Sequence, residues 1–126
     1  MTLLELTVVI LVLLSLITIL FIGARGWKRG SDRALCIVNI QNVQKGVRGY
    51  SNLYDIEPGA TVPGLRSKVI GMGRFVESVP TCPASGIYSF GATSGGEDTV
   101  PQIGELYMRC DLQIVDEHVP VEYSNW

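Results

Sequence analysis

Thr2-Leu3-Leu4-Glu5-Leu6-Thr7-Val8-Val9-Ile10, running on without a break through apolar residues to Ile22, is the stretch that decides how this chain is built. Of the 21 residues 2–22, 16 are Leu, Ile, Val or Phe, and none is Gly, Pro, Lys, Arg or Asp. At about 1.5 Å per residue a helix of this length spans roughly 30 Å, the hydrocarbon thickness of a bilayer. The run opens almost at the first residue, with no basic start and no small-residue cleavage site, so it reads as a spanning helix rather than a cleavable signal. Met1 is then expected to open a mature chain whose basic leader has been removed. The mean hydropathy of the 126-residue chain, +0.29, is concentrated in this segment. The remaining hundred or so residues have the size of one modest domain.

Glu5 is the charge that the apolar run has to accommodate, and a lone carboxylate there costs a few kcal/mol unless something offsets it. No Lys, Arg or His lies within residues 1–23, so the nearest cation is the amino group of Met1, at a helix end whose dipole also favours an anion. Two readings follow. Glu5 sits in the headgroup region of a single-pass anchor, or it pairs with the Met1 amine of an identical neighbour and sets the register as helices bundle, because two opposite buried charges are tolerated where one is not.

The segment Met1-Thr2-Leu3-Leu4-Glu5-Leu6 resembles the mature N-terminus of type IV pilins and of type II secretion pseudopilins, which place a Glu fifth in a long apolar run. The resemblance implies an α+β pilin fold, in which a long N-terminal helix packs on a small antiparallel sheet. It implies an assembly role for Met1, Thr2 and Glu5, and methylation of the Met1 amine. It also implies a prepilin peptidase, an assembly ATPase and a polytopic platform protein as partners. Met1 replaces the commoner Phe, and the helix lacks the Pro many pilins carry near position 22. Gly23, Gly26 and Gly30 are the weak points instead, each costing about 1 kcal/mol of helicity relative to Ala, so any non-helical stretch is expected within 23–30.

Arg25, Lys28, Arg29 and Arg33 form a basic collar after the apolar run, with Trp27 inside it, a composition suited to a membrane interface. Cys36, Ile40, Val43, Val47, Tyr50 and Tyr54 then recur at spacings of 4 and 3, one stripe of a helix, with Asn39, Gln41, Gln44, Lys45, Arg48 and Ser51 around it. Pro58-Gly59 ends any such helix. The expected organisation is a helical stem over 1–54, its first 22 residues apolar, and a small β-rich domain over 55–126.

In that domain, residues 65–79 hold a short helix broken at Gly71-Met72-Gly73. Residues 87–90 and 105–115 read as strands, with Leu106, Met108, Cys110, Leu112 and Ile114 on a buried face and Tyr107, Arg109, Asp111 and Gln113 on a wet one. Residues 118–123 suggest a third, edge strand containing Pro120. Cys82 and Cys110 lie symmetrically about Gly96, so a hairpin folded at Gly95-Gly96 makes them the expected disulfide, with Cys36 a buried thiol. A bridge from Cys36 to either of the other two is the alternative.

Composition excludes several functions. Ten basic against twelve acidic residues leave no general basic field, and only Arg66, Lys68, Arg74 and Arg109 are basic outside the stem, so no nucleic-acid partner is expected. One His and widely spaced cysteines argue against a zinc site, and His118 reads as a surface or edge residue. The acidic pairs Glu97-Asp98 and Asp116-Glu117 read as solvated turns rather than calcium ligands. No cofactor and no metal are expected, and nothing assembles a nucleophile, base and orienting group, so an enzyme is not expected. The expected function is a pilin, a subunit stored in the inner membrane as precursor and polymerised through its N-terminal helix into an extracellular filament of identical subunits. A pseudopilin of a type II secretion system and a single-pass membrane-anchored binding protein are the alternatives.

Overall fold

The computed structural model describes residues 2–126, and Met1 lies outside the described residues. One helix, α1, runs Leu3–Leu53, and the chain resolves into two compact units, residues 1–31 and residues 32–126. The fold is α+β: α1, a short helix α2 (Leu65–Val69), and a two-stranded antiparallel sheet of β1 (Tyr88–Phe90) and β2 (Met108–Cys110). α1 is helical through Gly23, Gly26 and Gly30, where nothing approaches the position of a side chain.

In the first unit all sixteen Leu, Ile, Val and Phe residues of 3–22 are exposed, from 47% for Val12 to 80% for Leu3, so the helix is apolar on every face. Full burial of such a side chain is worth about 1.5–3 kcal/mol, which puts tens of kcal/mol on covering this surface. The helix is long and apolar enough to cross a membrane. Its hydroxyls are satisfied internally: Thr7 and Ser15 donate to the carbonyls of Leu4 and Val12, each at 2.8 Å, and Thr18 donates to Leu14 at 2.9 Å. The three hydroxyl donors within residues 3–22 are therefore all paired.

In the second unit the helical stripe is buried from Cys36 through Ile40, Val43 and Val47 to Tyr50, whereas Tyr54 is 61% exposed because the helix has already ended at Leu53. This stripe shares one core with Leu65 and Val69 of α2, with Val100, and with Leu106, Tyr107, Met108 and Cys110. The short helix is confined to Leu65–Val69 and the rest of the expected stretch, 70–79, is non-helical: Gly71 takes a φ of 151°, its amide bonds the Val76 carbonyl at 2.8 Å, and Val76 returns a bond to Val69 at 3.0 Å.

Two of the strand expectations need correcting. β1 and β2 pair Tyr88 with Cys110 and Phe90 with Met108, and one further bond at each end, Gly91 to Tyr107 at 2.7 Å and Asp111 to Ile87 at 3.0 Å, completes the ladder. After Cys110 the chain enters a single 3-10 turn, Asp111–Gln113, because the Asp111 carboxylate accepts the Ile87 amide at 2.8 Å and takes over the ladder's role. Ile114, expected inside, is 84% exposed. Residues 118–123 form no strand: Val119 bonds back to Glu117 at 2.8 Å, and Pro120 has no amide proton to offer a ladder.

Tyr107, expected on the wet face, is wholly buried, and its hydroxyl donates to the Glu97 carbonyl at 2.7 Å. Within β2 itself Met108 and Cys110 are buried and Arg109 is half-buried. With so little sheet, polar side chains of α1 tie the loops down. Gln44, fully inside, donates to the Glu105 carbonyl and accepts the Tyr107 amide, both at 2.9 Å. Arg48 donates to the main-chain oxygens of Pro101, Gln102 and Trp126 at 2.5, 2.7 and 2.7 Å. Ser51 bonds the Ile56 carbonyl and Asn39 the Thr81 carbonyl.

Candidate functional site

Two groups of residues, one in each unit, are the candidates for a functional site. At the start of α1, Thr2 and Glu5 cap each other. The Glu5 amide donates to Thr2 Oγ1 at 3.3 Å, and the Thr2 amide donates to Glu5 Oε2 at 3.2 Å. This is the reciprocal capping box of a Thr-x-x-Glu start, which satisfies two orphan donors of the helix end. The signal is plain in Thr2-Leu3-Leu4-Glu5, and reading Glu5 only as a charge in search of a cation overlooks it. The pairing of Glu5 with a Met1 amine, and the methylation of that amine, fall outside the described residues.

The second group lies inside the globular unit. Cys36 arrives from α1, Cys82 from the loop before β1, Cys110 from the last position of β2 and His118 from the irregular segment after the 3-10 turn. Their ligand atoms all lie within 4.8 Å of one another, and all four residues are buried. Cys82 Sγ is 3.5 Å from His118 Nδ1, Cys110 Sγ is 3.9 Å from the same nitrogen, and the Cys82 and Cys110 sulfurs are 3.9 Å apart.

The expected Cys82–Cys110 disulfide is not formed, and all three cysteines are free thiols. The observed register sets Cys110 opposite Tyr88 rather than opposite Cys82, and Cys82 reaches the cluster from outside the ladder. The three cysteines and the one His, widely spaced in sequence, nonetheless come together in a group that could hold a metal ion. Convergence comes from tertiary folding, and His118, expected on the surface, is 2% exposed.

The surroundings of the cluster supply a donor to sulfur. The Tyr88 hydroxyl donates to Cys36 Sγ at 3.3 Å and is itself held by Asn39 Nδ2 at 3.2 Å. Burial pushes the Cys36 thiol up to about 12, against the Tyr88 hydrogen bond, and burial also raises Cys110. Gly86 borders the group closely: a Cβ there would stand 2.7 Å from Cys110 Sγ and 3.1 Å from Cys82 Sγ. Arg33 holds the segment that carries His118, donating to the Glu117 carbonyl at 3.0 Å and pairing with the Glu117 carboxylate at 3.3 Å.

Each acidic pair has a member engaged by the protein. Glu97 pairs with Arg66 at 2.8 Å, Asp98 accepts the Gly64 amide at 3.2 Å, and Glu117 is taken by Arg33. No family model matches the chain, and no curated protein or solved structure matches it significantly, so the capped apolar helix and the thiol–imidazole cluster stand on their own chemistry.

Proposed function

We propose that this chain is a structural, non-catalytic subunit that polymerises through its apolar N-terminal helix into a pilus-type extracellular filament, after storage in the inner membrane as a precursor. The carrying observation is the helix of residues 3–22, apolar on every face, with its one carboxylate held at its start. Such a surface needs lipid around the monomer or identical helices around it in a bundle, and the two are nearly equivalent in hydrophobic terms. Glu5 then supplies the direction that a uniformly greasy helix lacks: its carboxylate pairs with the Met1 amine of a neighbour and sets the axial register. On this reading a prepilin peptidase exposes and methylates Met1, and an assembly ATPase with a platform protein extracts the subunit.

The test has two parts. Electron microscopy of fibres sheared from native cells, with mass spectrometry of their content, is expected to find thin filaments built mostly of this chain. A chain confined to the envelope, absent from every fibre, would overturn the filament in favour of a pseudopilin or a plain anchor. Two substitutions then separate capping from pairing. Glu5→Gln keeps the box, because Gln serves at this position as Glu does, and removes only the charge. Both Glu5→Gln and Glu5→Ala are expected to abolish filaments while the Gln variant accumulates normally in the membrane. Wild-type filaments from Glu5→Gln would refute the charge pairing.

A further inference from the structure

We propose that Cys36, Cys82, Cys110 and His118 form a structural Zn²⁺ site that clips α1 to the loop before β1, the end of β2 and the segment after the 3-10 turn. Zinc bonds thiolate at about 2.3 Å and imidazole at about 2.0–2.1 Å, usually as a tetrahedron in structural sites. The edges of such a tetrahedron are about 3.8 Å between sulfurs and about 3.6 Å from sulfur to nitrogen, by geometry from those bond lengths. The observed 3.9 Å between Cys82 and Cys110, with 3.5 and 3.9 Å from their sulfurs to His118 Nδ1, match these edges. Cys36 completes a set of four donors within 4.8 Å.

Five features favour an ion over a disulfide. A disulfide joins two sulfurs at about 2.05 Å and would leave the third thiol and the imidazole nitrogen buried with no common purpose. The Tyr88 hydroxyl donates to Cys36 Sγ, an arrangement that suits thiolates carrying the excess negative charge of a Cys3His site. Asn39 orients that hydroxyl, as groups around metal ligands commonly do. Gly86 keeps open the space beside two of the sulfurs. Four separate segments meet here in a unit whose strands are three residues each, and a small domain with so little sheet gains most from a clip of this kind.

The site is independent of filament assembly, so its test uses the full chain in detergent and reads metal directly. The chain is prepared reduced, without chelator and with a tag that contains no histidine. Elemental mass spectrometry is expected to find about one zinc per chain. After removal of zinc under reducing conditions, Co²⁺ is expected to give the visible d–d and thiolate charge-transfer absorption of a tetrahedral site, displaced by added Zn²⁺. Cys36→Ser and His118→Asn should each lower affinity at least tenfold, and Tyr88→Phe about tenfold. His118→Cys should restore binding with a red-shifted Co²⁺ spectrum. A zinc-free wild-type chain that shows no tetrahedral Co²⁺ spectrum, or a Cys82–Cys110 disulfide in its place, would overturn the site. Zinc that survives both Cys36→Ser and His118→Asn would overturn it equally. Either failure leaves the filament test untouched.

Discussion

Gln44→Leu removes a buried side chain that bonds two main-chain groups of the segment leading into β2. In the wild type, Nε2 donates to the Glu105 carbonyl and Oε1 accepts the Tyr107 amide, each at 2.9 Å, from a residue only 2% exposed. Leucine has a similar volume and fills the space, so the cavity cost is small. The cost lies in the partners. The Tyr107 amide belongs to a residue with no exposed surface, and an orphaned buried donor costs about 1–3 kcal/mol. Glu105 is only partly covered, so its carbonyl recovers some of its loss from water. The sum is about 2–4 kcal/mol, a large part of the 5–15 kcal/mol that holds a typical domain together. For a unit of this size that corresponds to a fall in Tm of roughly 10–25 °C. Near-ultraviolet circular dichroism of the detergent-solubilised chain during heating reads the transition, with Lys45→Gln as the exposed neighbour expected to move stability by less than about 0.5 kcal/mol. A Gln44→Leu variant within that same margin of wild type would refute the claim that side-chain bonds from α1 stand in for the missing sheet.

Other perturbations test the remaining parts. Burial opposes ionisation of Glu105, but the amides of Gln102 and Ser94 and the Ser94 hydroxyl outweigh it and hold its carboxyl below the usual range. A depressed folded value contributes stability that is present above the unfolded carboxyl range and lost as pH falls through the folded value. Glu105→Gln is therefore expected to lower stability at neutral pH and to flatten the acid limb of a Tm–pH profile; an unchanged acid limb would refute it. Gly86→Ala places a Cβ 2.7 Å from Cys110 Sγ and is expected to cost about 1–3 kcal/mol and to reduce bound zinc, read by thermal melting and elemental analysis. Full zinc content with an unchanged melt would show that the cluster is looser than its distances indicate.

Local pattern carried part of the architecture without any tertiary information. The apolar run of 2–22, the 3-and-4 spacing from Cys36 to Tyr50, the breaker Pro58-Gly59 and the turn at Gly71-Met72-Gly73 each depend on neighbours a few residues away, and each element appears where those neighbours place it. The alternation of 105–115 was legible only in part. It continues past Cys110 in the sequence, but the Asp111 side chain captures the Ile87 amide and ends the ladder, a contact no period-two pattern records. Burial of Tyr107 and Gln44 was illegible for a related reason. A polar residue is read as exposed unless its partner is known, and the partners here lie ten and more than sixty residues away.

By itself, then, the sequence determined a membrane-length helix with a carboxylate capping its start, the amphipathic continuation of that helix, and the approximate sites of two strands. These are properties of near neighbours, where hydrophobic period and capping chemistry act within a few residues. Tertiary structure alone decided the length and register of the sheet, the use of Gln44 and Arg48 as ties between helix and loops, and the meeting of Cys36, Cys82, Cys110 and His118. Spacing along the chain says nothing about that meeting. Three cysteines far apart in sequence, and a His eight residues after the last of them, came within 4.8 Å because one helix, one loop, one strand end and one irregular segment fold onto the same core.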